Sequence, residues 1–160
     1  MQRQAKRLVH SIPIILCTIT DTPMPDSSPL PDALGHLLFK NAAELSFNAI
    51  TVTRAANDDG PSTIVYVNDA FTDMTGYTAD DVMGKTPGML QGPKTDPEVL
   101  ERLDRQIHNG ETFHGETVNY RKDGTPFVIE WKVTPIDEAG VTTHYVAVQR
   151  DVTDQRETAV

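Results

Sequence analysis

Between residues 112 and 152 the chain falls into three strand-length runs, 112–121, 126–135 and 142–152. The short segments 122–125 and 136–141, built on Lys122-Asp123-Gly124 and Asp137-Glu138-Ala139-Gly140, separate them. Within each run apolar and polar residues tend to alternate, which puts successive side chains on opposite faces of a strand. The two separators are tight-turn sequences, so the runs are expected to pair in order as an antiparallel meander. A chain whose last third is such a meander must find helices or a second sheet to bury one face of it.

The preceding residues supply both. Ile50 and Val52 alternate with Thr51 and Thr53 as a first strand, Asn57-Asp58-Asp59-Gly60-Pro61 reads as a turn, and residues 63–67 form a second strand. Asn68 is placed to cap a short helix running to Thr75 and ended by Gly76, and Thr78 with Asp81 reads as a capping box for another short turn. Asp96 followed by Pro97 opens the one longer helix of the domain, with Leu100, Leu103 and Ile107 on one face and Asn109-Gly110 closing it. Two strands, several helices and three strands predict an α+β domain: a five-stranded antiparallel sheet with short helices and one longer helix over one face.

Upstream, the proline-rich residues 23–31 read as a linker. Leu34, Leu37, Leu38, Ala42 and Leu45 mark an amphipathic helix over 33–46, with Asp32 as its cap. That helix is expected either to cover the domain's own sheet or to pair with a second copy. The predicted organisation is an extension over 1–40, a domain over 41–153 and the start of a C-terminal helix or tail over 154–160.

The formal net charge of −9 argues against nucleic acid or anionic lipid as a partner, since phosphates are bound mainly by clustered Lys and Arg. No segment reaches the ~20 apolar residues of a membrane span. Cys17 is the only cysteine, which leaves no intramolecular disulfide and no thiolate zinc cluster. Arg3, Lys6 and Arg7 before the short apolar stretch 12–19 imitate a signal peptide. Pro13 and the lack of a small-residue cleavage site favour a cytoplasmic protein instead. No nucleophile, base and orienting group stand at a recognisable spacing, so no enzyme is expected.

Three segments carry a family resemblance: Gly84-Lys85-Thr86-Pro87-Gly88-Met89-Leu90-Gln91-Gly92-Pro93, then Asn119-Tyr120-Arg121-Lys122-Asp123-Gly124, then Val148-Gln149-Arg150-Asp151-Val152-Thr153. In order and spacing they resemble the landmarks of a PAS domain of the LOV type, the flavin-binding blue-light sensors. The resemblance implies a ligand enclosed between the concave sheet face and the helices, with Gln91, Asn119 and Gln149 matching the amides that hold the flavin ring. It also marks departures: Pro87 stands where the family has its photoreactive cysteine, Thr86 and Ile129 where it has asparagines, and Gly88 and Asp104 where it has phosphate-binding arginines. Strand alternation then assigns Thr117, Asn119, Phe127, Ile129, Trp131, Val133, Tyr145, Ala147 and Gln149 to the cavity face. Val128, Glu130, Lys132, Val146 and Val148 take the other face.

The candidate ligand-binding set is therefore Gln91, Asn119, Gln149, Thr86, Pro87, Ile129 and Trp131, with no catalytic or metal-ligating residues. The resemblance implies a sensory module acting through a homodimer or through a separate effector such as a kinase. It would carry no flavin, or a weakly bound one (riboflavin or FMN), and would lack cysteinyl-adduct photochemistry. The second reading is a cysteine-less flavin-binding blue-light or redox sensor.

Overall fold

A computed structural model describes residues 32–158. The expectations for the linker, for Cys17 and for the apolar stretch 12–19 lie outside the described residues. The elements run α1 (Asp32–Glu44), β1 (Ala49–Arg54), β2 (Thr63–Val67), α2 (Asp69–Thr75), α3 (Ala79–Val82), a 3-10 turn (Pro87–Leu90), α4 (Pro97–His108), β3 (Phe113–Tyr120), β4 (Pro126–Glu138), β5 (Val141–Asp151) and α5 (Thr153–Thr158). All strands pair antiparallel in the order β2-β1-β5-β4-β3. The expected α+β class and the five-stranded sheet are both present. The last two strands join at a tighter turn than the sequence suggested, with β4 reaching Glu138 and β5 beginning at Val141.

The local signals act as their chemistry requires. Asn68 caps α2 through its side chain, Gly76 ends that helix at φ 76, and Thr78 and Asp81 form the reciprocal capping box of α3. Asp96 caps α4 by accepting from the Glu98 N–H at 2.9 Å, and Gly110 follows that helix at φ 75. Lys122, in the β3–β4 turn, donates to Asp81 at 2.7 Å. That hydrogen bond, reinforced by those from Thr78, holds the Asp81 carboxyl at about 2.

Two hydrophobic clusters form the core. Ala49, Ile64, Val67, Phe71, Val82 and Leu90 lie under the short helices, while Phe113, Phe127, Ile129, Trp131 and Val133 lie under α4. Asn68 joins the first cluster to α1. Its side-chain oxygen accepts from Ile50 and Phe71 N–H groups, and its amide donates to the carbonyls of Ala43 and Asn48, all within 2.8–3.1 Å.

Of the two roles expected of the N-terminal helix, covering the sheet is not the one it takes among the described residues. It begins at Asp32, and Ala43 near its C-terminal end is its buried residue, beside a Phe39–Tyr66 ring contact and a hydrogen bond from Tyr66 to Glu44. Leu34, Leu37, Leu38 and Leu45 stay exposed, and so does Val148 on the outer sheet face. The helix meets the domain through one end, so among the described residues its apolar stripe has no surface to lie on.

Candidate ligand cavity

Between the concave sheet face and the wall made by α4 and the 3-10 turn lies a cavity of about 170 Å³. The sheet side contributes Thr117 and Asn119 from β3, Ile129, Trp131 and Val133 from β4, and Tyr145, Ala147 and Gln149 from β5. Cross-strand register explains why these residues share a face: Thr117 pairs with Ile129, Trp131 with Gln149, and Val133 with Ala147. Phe127 shares the face but sits deeper in the core at 1 % exposure. The opposite wall comes from Leu100, Leu103 and Ile107 of α4 and from Pro87, Leu90 and Gln91.

Six of the seven candidate residues are thereby brought to one cavity: Gln91, Asn119, Gln149, Pro87, Ile129 and Trp131. Thr86 is not among the lining residues. It precedes the 3-10 turn, makes no capping hydrogen bond and is exposed. In a helix of three residues per turn Pro87 and Leu90 stack on the cavity side, and Thr86 falls outside that stripe. Trp131 serves both core and cavity wall, its ring 5.0 Å from that of Phe113.

The polar groups are unequal. Gln149 is 6 % exposed and its amide donates to Thr51 Oγ1 at 2.7 Å. Among the described residues, only Gln149 of the three candidate amides has a side-chain hydrogen bond, which leaves Gln91 and Asn119 available to a ligand. Thr117 is committed to the fold: its hydroxyl accepts from the Asp96 N–H at 2.8 Å, and the neighbouring Thr95 hydroxyl donates to the Val118 carbonyl at 2.6 Å. These bonds fix the start of α4 against β3 and so set the height of the cavity.

Sequence reasoning missed the share of β1 in the cavity. Thr51 and Thr53 line the cavity while Ile50 and Val52 turn to the outer face. The signal was the strand register, because Ala49 pairs with Gln149 and Thr51 with Ala147.

Beyond Gln149 the same strand becomes an exit. Arg150 points to the outer face and donates to Glu130 at 2.6 Å, and Glu130 also bonds His114 at 2.9 Å; these partners, His114 first, lower the Glu130 carboxyl below its ordinary range. Asp151 accepts from Arg121 at 2.5 Å and from the Thr153 N–H and hydroxyl. Burial pushes the Asp151 carboxyl up, but the bonds from Thr153 and Arg121 outweigh it and leave the group lowered. Thr153 in turn accepts from the Val128 N–H, and Arg156 of α5 pairs with Glu116 on β3.

The cavity framed by a β2-β1-β5-β4-β3 sheet has a counterpart among known families. The model of the PAS domain matches residues 48–154. The chain belongs to the PAS family.

Within that family its relatives are of the LOV type. It is 35% identical over 116 residues to a blue-light-activated histidine kinase of Brucella anthropi, an alignment covering 72% of this chain and 23% of that protein. The LOV domain of the EL346 blue-light-activated histidine kinase of Erythrobacter litoralis matches at 36% identity and a TM-score of 0.60, over 66% of this PAS chain and 96% of that domain. An RNA-binding light-oxygen-voltage receptor superposes at a TM-score of 0.72 with 34% identity, covering 86% of this chain and 39% of that one. The chain thus spans about a quarter of the kinase it matches. Among the described residues no helix is long and apolar enough to cross a membrane.

The LOV relationship implies FMN, and the cavity answers that implication in two parts. Its free amides and apolar walls suit a flat heteroaromatic ring with an edge that both donates and accepts hydrogen bonds. No Asp, Glu, Lys, Arg or His lines it among the described residues, so nothing there meets a phosphate. The lining chemistry suits the ring and offers nothing to the phosphate.

Proposed function

We propose that this PAS domain is a non-enzymatic sensory module that converts the state of its cavity into a change at the C-terminal junction. The observation that carries the reading is the order of residues on β5: Gln149 faces the cavity, Arg150 and Asp151 hold the outer face and the turn, and α5 begins at Thr153. A change in the Gln149 side chain is therefore two residues from the anchor of α5. A kinase or another effector chain, or a second copy of this chain, is the proposed recipient. The net charge of −9 weighs against an RNA backbone in that role.

The signal does not pass through a cysteinyl adduct. Pro87 occupies the cavity wall at the position where the LOV resemblance places a cysteine, and proline offers no nucleophile. The three amides favour a second reading, in which the module holds a flavin ring and responds to light or redox state without the adduct. Illuminating the riboflavin-loaded protein with blue light tests both. The expected result is no dark-reversible loss of the visible flavin band. A reversible loss with the spectrum of a sulfur adduct overturns the assignment of Pro87.

A further inference from the structure

We infer that the cavity selects an uncharged planar heteroaromatic ligand and discriminates against a phosphorylated form of the same ring. This rests on the sensory reading above and adds the ligand class to it. Three observations combine. First, the lining pairs aliphatic walls with a few hydrogen-bonding groups and holds no ionic side chain among the described residues, so an ionised ligand would exchange its hydration for nothing of opposite charge.

Second, the cavity shares Ser62, Ile107 and Tyr145 with an adjoining surface hollow, whose other walls include Asp104, His108 and Thr142. A tail leaving the cavity on this side meets the Asp104 carboxylate, which is 73% exposed and pairs with His108 at 3.2 Å. The field there is felt by Tyr145: burial pushes its phenol up, and Asp104 and Asp137 push it further. Third, of the two arginines of α4, Arg105 lines neither the cavity nor the hollow, and Arg102 is already engaged. Arg102 stacks 4.6 Å over the Phe113 ring and donates to the His114 carbonyl at 3.0 Å.

Size points to the ring alone. A volume of about 170 Å³ is below the ~300 Å³ at which small-molecule sites usually begin. The wall able to give way is α4, whose Leu100, Leu103 and Ile107 are only half-buried. A bare tricyclic ring asks least of that movement.

Calorimetric titration of the protein at low salt with lumichrome, riboflavin and FMN tests the inference, with Asp104→Asn and Asp104→Arg as variants. Lumichrome and riboflavin are expected to bind at least ~10-fold more tightly than FMN, and Asp104→Arg to narrow the riboflavin-to-FMN ratio ~3-fold or more, with Asp104→Asn between them. The narrowing should fade at high salt, because an exposed charge is screened. FMN binding as tight as riboflavin, no binding of lumichrome or riboflavin, or a ratio indifferent to Asp104 each overturns the inference. Equal FMN affinity leaves the sensory reading standing, since that reading concerns only what β5 does with an occupied cavity.

Discussion

Asn68 shows how much one side chain does here and how little of it sequence discloses. Its type and position announce a helix cap, but the bonds to Ile50, Ala43 and Asn48 join residues 18 to 25 positions away and have no local signature. The residue is 2 % exposed, and removing its side chain strands the Ile50 N–H and the Asn48 carbonyl, while the Phe71 N–H keeps the Asn68 carbonyl and the Ala43 carbonyl keeps the Ser46 N–H. Asn68→Ala should lower stability by ~3 kcal/mol, seen as a fall in the urea midpoint with unchanged slope. A loss below ~1 kcal/mol would mean that water replaces these bonds and that Asn68 is only a cap. Gln149 was legible from its motif, while its partner Thr51 was not. Hydrophobicity alone would turn Ile50 and Val52 inward, yet Thr51 and Thr53 are the buried pair. The reason is that the inner face of this sheet encloses a cavity, where hydroxyls are useful, and the apolar Ile50 and Val52 are left to the outer face of β1.

At the scale of elements, the five strands and α2, α3 and α4 announced themselves by alternation, caps and turn residues, while the 3-10 turn over Pro87–Leu90 did not. Contacts between elements did not. The clearest case is the junction of β5 and α5, where Asp151 ties the β3–β4 turn residue Arg121 to the first residue of α5. The Asp151 carboxyl is lowered in the folded protein relative to ~3.9 in an unfolded chain, so its contribution is fully present above that value and disappears as pH falls through the folded one. Wild type should exceed Asp151→Asn in stability by ~1–2 kcal/mol at neutral pH, with the difference constant down to about pH 5 and closing in stronger acid. Paired denaturation curves across that range check this, and a difference that grows on acidification would contradict it. The loop before α4 offers a second case. A Cβ on Gly92 would stand 2.3 Å from the Tyr120 ring, whose hydroxyl accepts from the Lys94 N–H at 3.0 Å. Gly92→Ala should therefore cost ~1–3 kcal/mol by the same denaturation measurement, and a neutral effect would show that the loop shifts freely.

For the whole molecule, the family resemblance made the fold and the cavity legible, because landmark residues sit where the backbone must turn or approach closely. What it left open was the outer surface. Leu34, Leu37 and Leu38 of α1, with Val65 and Val148 on the sheet, are each more than 40 % or close to it exposed, at 42%, 54%, 48%, 44% and 40%. A second copy, related by a two-fold axis, is the proposed cover. Sedimentation of the intact chain should give a dimer and a chain beginning at Asn41 a monomer; a monomeric intact chain, or a dimer that survives truncation, contradicts that arrangement. The central claim is that cavity state reaches α5 through β5. Hydrogen exchange of the intact protein with and without saturating riboflavin tests it most directly. Amides of residues 150–158 are expected to change their exchange together with those of the cavity wall, and the change at 150–158 should be lost in Gln149→Leu while riboflavin still binds. Exchange changes confined to the cavity wall, with residues 150–158 unaltered, would contradict the account.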